Sequence, residues 1–150
     1  MNHFEKITLI CADHYPLSAR FYPAQTDQSN SAILICPATG ITQNFYHALA
    51  EWLSLQGHPV LTFDFRGIGS SLHGRLKDST ARIQDWGQLD IPVAIDTLRQ
   101  KTGQDRVTLI GHSAGGQLLG ITPNHDKVAK LIAIAGSTGH IKGLKGRTKA

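Results

Sequence analysis

The chain has 150 residues, 41% hydrophobic, 17% charged and 7% aromatic, which suits one globular domain and excludes an intrinsically disordered chain. Its net charge of +4 sits at the end: Lys142, Lys145, Arg147 and Lys149 are basic, and residues 1–140 without them balance eleven basic against eleven acidic side chains. A neutral fold with a basic tail at 141–150 does not point to nucleic acid as a partner, and the tail is expected to be disordered.

The N-terminal apolar stretch, Ile7 to Ala12, is about six residues long, short of a secretory h-region, so the chain is expected to be cytoplasmic. The longest apolar runs, 32–38 and 131–135, are far below the roughly 20 residues of a membrane-spanning helix, so no membrane span is expected. Cys11 and Cys36 lie in apolar stretches without CxxC or Cys/His spacing. They read as reduced, buried thiols, and neither a metal nor a cofactor is expected.

Ile7 to Ala12 and Leu17 to Tyr22 bracket a turn at 13–16, a hairpin signal. Ala32 to Cys36 is a continuous apolar run, typical of a strand covered on both faces. Phe45 to Leu55 has helical spacing, with Asn44 as a candidate cap and Gly57 and Pro59 as its stop. Val60 to Phe65 is a second buried strand, and 66–84 reads as a loop. Asp85 to Lys101 reads as a helix with Trp86, Leu89, Val93 and Leu98 on one side and a kink or late start at Pro92. Val107 to Ile110 is a third buried strand, Ala114 to Ile121 a short helix, and Val128 to Ala135 a fourth strand. The alternation implies an α/β fold: a mostly parallel sheet with an N-terminal antiparallel hairpin and helices on both faces. Chemistry in such sheets gathers at the carboxyl ends of the strands, which are the loops after Cys36, Phe65, Ile110 and Ala135.

The loop after Ile110 reads Gly111-His112-Ser113-Ala114-Gly115-Gly116, a G-x-S-x-G between a strand and a helix. A serine on so tight a turn projects its hydroxyl above the sheet edge. The turn leaves no room for Cβ atoms two residues before and after, hence Gly111 and Gly115. The helix then offers free N–H groups, Ala114 first, to developing negative charge. The loop after Cys36 reads Pro37-Ala38-Thr39-Gly40-Ile41-Thr42 and would supply a second backbone donor. Gly40 is the expected donor, with Thr39 and Ile41 as neighbouring alternatives. The segment Asp64-Phe65-Arg66-Gly67-Ile68-Gly69-Ser70-Ser71 lacks the third glycine and the prompt helix of a dinucleotide loop. Asp64 and Arg66 are expected to tie this loop down through hydrogen bonds and an ion pair.

These three loops together resemble the α/β-hydrolase fold superfamily, near the serine aminopeptidase and monoglyceride lipase group. The resemblance covers residues 5–136 and the N-terminal portion of that fold only. It implies Ser113 as nucleophile, Ala114 and Gly40 N–H groups as the oxyanion hole, and a small-molecule ester, thioester or amide as the acyl substrate. In that fold the acid and the histidine follow the serine in sequence. After Ser113 the chain holds one acid, Asp126, and two histidines, His125 and His140. The resemblance implies eight strands, and six are counted here. The expectation is therefore a partial hydrolase domain over 1–140 that lacks the last two strands and has low or no activity alone. Two alternatives stand beside it. One is a non-catalytic binding or assembly module that self-associates through an exposed sheet edge. The other is an acyltransferase on the same fold.

Overall fold

The computed structural model describes residues 3–28 and 30–137. His140 and the basic tail lie outside these residues. The sheet has six strands: β1 (Glu5–Ile10), β2 (Pro16–Tyr22), β3 (Ile33–Cys36), β4 (Val60–Phe63), β5 (Val107–His112) and β6 (Val128–Ile134), in the spatial order β1-β2-β4-β3-β5-β6. β1 and β2 form the antiparallel hairpin, with Glu5 opposite Phe21 and Ile10 opposite Pro16. β2 lies antiparallel on β4, and β4, β3, β5 and β6 run parallel. The expected hairpin and parallel sheet are both present.

Side chains alternate between the two faces of a strand, so one apolar run feeds two cores. Leu34, Leu61 and Leu109 face one side and pack with Leu9, Leu17 and Phe63 against Ile91, Ile95 and Leu98. Ile33, Ile35, Val60 and Ile110 face the other side and pack against Tyr46, Ala50 and Leu53. Every residue of β3 and β4 is buried, as their unbroken apolar runs require. Each fully buried leucine contributes about 1.5–3 kcal/mol by leaving water.

The helices differ from expectation in informative ways. α1 (His47–Leu55) follows a 3-10 turn at Gln43–Tyr46, and that turn has no side-chain cap, so Asn44 does not cap it. The face of α1 against the sheet carries Ala50, Leu53 and Ser54, and the small Ala50 lets the backbone approach closely. The larger Phe45, Leu49, Trp52 and Leu55 point outward. Between α2 (Ile83–Asp85) and α3 (Ile91–Thr102) the chain winds into a wide π turn at Trp86–Asp90. Pro92 has no N–H to give to the preceding turn, and the wider turn is how the chain absorbs that missing bond. α4 (Ala114–Gln117) is one turn, continued as a 3-10 turn over Leu118–Ile121. Two further 3-10 turns, Gly69–Ser71 and Leu76–Asp78, lie in the expected loop 66–84.

From β3 the chain passes through α1 to β4 on one side, then crosses back through α3 to β5 on the other side of β3. The order of connections therefore reverses between β3 and β5, and the loops leaving these neighbouring strands open a crevice at their carboxyl ends. No helix among the described residues is long and apolar enough to cross a membrane.

Candidate functional site

Ser113 follows β5 at that crevice. Its backbone has φ 50 and ψ −116, a conformation that costs a side-chain-bearing residue on the order of 1–3 kcal/mol. The surroundings hold it there. Its N–H donates to the Ile134 carbonyl at 2.8 Å, and its carbonyl accepts from Gly116 N–H at 3.1 Å and Gln117 N–H at 3.3 Å. Its hydroxyl does not cap α4.

The two expected glycines are required by contact. A Cβ on Gly115 would strike the Cys36 carbonyl oxygen and sit 2.6 Å from the Cys36 carbonyl carbon and 2.7 Å from the Pro37 oxygen. A Cβ on Gly111 would strike Gly116 Cα and come 2.5 Å from the Gly116 nitrogen. The elbow is thus pressed onto the end of β3. That contact brings the loop after β3 beside Ser113.

In that loop the Ile41 N–H donates to the Ala38 carbonyl at 3.1 Å, closing a turn with Gly40 at φ 73. Ile41 is therefore not a free donor. Thr39 and Gly40 are both exposed, and neither N–H has a partner among the described residues. Ala114 N–H opens α4. Because α4 is a single turn, its offering is that individual N–H and not the summed dipole of a long helix. A cleft of about 470 Å³ beside the elbow is lined by Gly116, Gln117, Ala133, Gly136 and Ser137.

Tyr46, which the sequence pattern did not single out, joins the two loops. Its hydroxyl accepts from Ala38 N–H at 3.0 Å and lies 2.9 Å from His112 Nδ1. Burial raises the Tyr46 phenol above its ordinary range, so it stays protonated.

The loop after β4 is anchored as expected, through hydrogen bonds on Asp64 and ion pairs on Arg66. Asp64 is buried and accepts from Gln43 N–H at 2.7 Å and Ser70 N–H at 3.0 Å. The ion pairs of Arg66 go to Asp90 at 2.7 Å and Asp13 at 2.6 Å, and not to Asp64. The guanidinium also lies 4.8 Å from the centre of the Tyr15 ring. Trp86 Nε1 donates to the Arg66 carbonyl at 3.1 Å, and Trp86 stacks on Phe65 with centroids 4.7 Å apart. Hydrogen bonding to Arg66 lowers the Asp13 carboxyl, whereas burial raises Asp90 despite the same guanidinium. Burial, with Asp90 nearby, pushes the Cys11 thiol up to about 12, and burial alone raises Cys36. Both cysteines are free and buried. Asp90 carried a legible signal, an acid between Trp86 and Ala94 on an otherwise apolar face.

His125 precedes β6, at the opposite end of the strand from the Ser113 loop, and its Nδ1 lies 2.9 Å from the Thr122 carbonyl. Asp126 pairs with Lys127 at 3.6 Å. Neither is brought to Ser113, and His140 lies outside the described residues. Among the described residues no group of three or more His, Cys, Asp or Glu side chains is placed to hold a metal ion.

The family model described as the alpha/beta hydrolase fold matches residues 31–143. The chain is similar to Lipase lipl-1 of Caenorhabditis elegans, at 37% identity over 101 residues, covering 58% of this chain and 25% of that relative. It is similar to a soluble variant of the monoglyceride lipase of Saccharomyces cerevisiae, with TM-score 0.72 and 21% identity over 91% of this chain and 44% of that one. It is also similar to an α/β serine hydrolase without lid from Xanthomonas campestris, with TM-score 0.70 and 22% identity over 93% of this chain and 64% of that one. At these identities the two solved structures speak for the fold alone. The chain spans a quarter of the length of the curated relative it matches.

Proposed function

Because the chain belongs to the α/β-hydrolase fold family, we propose that it carries the nucleophile of an acyl-transferring serine site acting on a small-molecule ester, thioester or amide. Ser113 Oγ attacks the substrate carbonyl and passes its proton to a base. The tetrahedral oxyanion is held by the N–H of Ala114 and by that of Gly40 or Thr39. The leaving group departs with a proton, and water hydrolyses the acyl-serine. The observation that carries this reading is the conformation of Ser113. A serine held at φ 50 by backbone bonds on both sides, with glycines where any Cβ would meet backbone, is costly unless its hydroxyl has work to do.

No histidine or carboxylate among the described residues hydrogen-bonds the Ser113 hydroxyl. A serine without its base loses on the order of 10⁴–10⁶ in rate, so the speed of covalent labelling reports whether a base reaches Ser113. A fluorophosphonate probe tests the reading. It should form an adduct on Ser113 that disappears in Ser113→Ala. An adduct that survives Ser113→Ala overturns the assignment.

The outer strand favours a second reading, a binding or assembly module that associates by strand addition. Leu131, Ile132 and Ile134 of β6 are 44%, 49% and 46% exposed, and no described strand pairs its outer edge. Such an edge accepts a strand from another chain or from a second copy. Sedimentation velocity across a hundredfold concentration range tests it: a monomer throughout excludes self-association.

A further inference from the structure

We propose that Tyr46 is a positioning residue that locks the oxyanion loop to the nucleophile elbow through its hydroxyl, an inference that rests on the Ser113 reading above. The hydroxyl sits between Ala38 N–H at 3.0 Å, in the loop after β3, and His112 Nδ1 at 2.9 Å, next to Ser113. It stands at the entry to α1, so three separate segments meet on one oxygen.

The proton count fixes the arrangement. A phenol has one proton to give and two lone pairs to accept with. Ala38 N–H can only donate, so it takes one lone pair. The phenol proton then has one acceptor at hand, His112 Nδ1, which must be bare. The neutral imidazole accordingly carries its proton on Nε2. The opposite arrangement, with the proton on Nδ1, leaves the phenol proton without a partner among the described residues. The imidazole is held from two further sides. Phe45 stacks on it at 6.2 Å and 25°, and the Tyr46 ring meets it edge-on at 6.0 Å and 83°.

The link has a direction of consequence. Ala38 immediately precedes Thr39 and Gly40, whose N–H groups are the candidate donors, and His112 immediately precedes Ser113. Without the hydroxyl, a buried Ala38 N–H has no partner and the loop must turn to find one. The ring itself packs in the second core with Ile33, Ile35, Ala50 and Leu53. Tyr46→Phe therefore keeps the packing and removes the bridge alone.

Nuclear magnetic resonance on the full chain reads the bridge. In the wild type, His112 should show a bare, hydrogen-bonded Nδ1 and a protonated Nε2. The Ala38 amide should exchange more slowly than the amides of Thr39 and Gly40, which have no such partner. Tyr46→Phe should speed Ala38 exchange about tenfold, the effect of one lost hydrogen bond, and shift the His112 nitrogens and the amides of Thr39, Gly40 and Ala114. It should also slow phosphonylation of Ser113 about tenfold, less than the cost of deleting an oxyanion donor outright. A wild-type His112 with its proton on Nδ1, or an Ala38 amide no slower than its neighbours, overturns the proposal without any variant. So does a Tyr46→Phe chain with unchanged Ser113 labelling. Failure of the hydrolase reading looks different: the bridge signals persist and no probe attaches to Ser113.

Discussion

Replacing Gly115 by alanine places a methyl group against backbone that cannot yield. The new Cβ would lie 2.6 Å from the Cys36 carbonyl carbon and 2.7 Å from the Pro37 oxygen. Ordinary carbon contacts sit near 3.5–4.0 Å, so something must move by about 1 Å. On one side stands the end of β3, paired with β5 through Cys36 and Gly111. On the other stands the elbow, tied to β6 through Ser113 N–H. Overpacking in a well-packed interior costs typically 1–3 kcal/mol, and with backbone on both sides we expect about 3 kcal/mol. That is more than a hundredfold in the folded-to-unfolded ratio and about 6–12 °C in Tm for a chain of this size. Urea denaturation followed by circular dichroism measures it. Gly120→Ala is the internal control, because a Cβ there meets nothing within 4 Å, and it should be neutral or stabilising by up to about 1 kcal/mol. A Gly115→Ala chain as stable as Gly120→Ala would refute the claim that the elbow is pressed onto β3.

Three further outcomes follow from the same geometry. Ser113→Gly should raise stability by about 1 kcal/mol, since glycine adopts φ 50 without strain, whereas Ser113→Ala should not, and thermal melts of the two separate strain from side-chain loss. Arg66 lowers the Asp13 carboxyl, so the stability that this pair adds is present above the ordinary carboxylate range near pH 4 and is lost as pH falls through the depressed value. The stability gap between wild type and Asp13→Asn should accordingly be flat from pH 5 to 8 and close on acidification, as urea midpoints across pH would record. Ile132→Lys on β6 should change the unfolding free energy by no more than about 0.5 kcal/mol, because that side chain is 49% exposed, while weakening any concentration-dependent association seen by sedimentation.

The parts of the site that were legible are those where local backbone demand dictates residue type. Gly111 and Gly115 flank Ser113 because any side chain there meets backbone, and such a constraint leaves its mark within five residues of sequence. The strands were legible for the same reason: β3 and β4 are covered on both faces and read as unbroken apolar runs. Partner choice was not legible. Arg66 pairs with Asp13, 53 positions away, and Asp90, 24 positions away, and not with its neighbour Asp64, whose carboxylate accepts from the N–H groups of Gln43 and Ser70. The loop after β3 was legible as a segment, and only the Ile41 to Ala38 hydrogen bond removes Ile41 from the three candidate donors. Tyr46 looked like one more aromatic in an amphipathic helix. Its hydroxyl matters because the sheet sets β3 beside β5, a neighbour relation that appears only once the chain has folded.

The proposed site stands or falls with Ser113 as its nucleophile. Phosphonylation of the full chain at pH 8, with the adduct mapped by peptide mass spectrometry, tests this. The label should map to Ser113 alone and vanish in Ser113→Ala. Labelling that spreads over other residues, or that survives Ser113→Ala, would contradict the nucleophile.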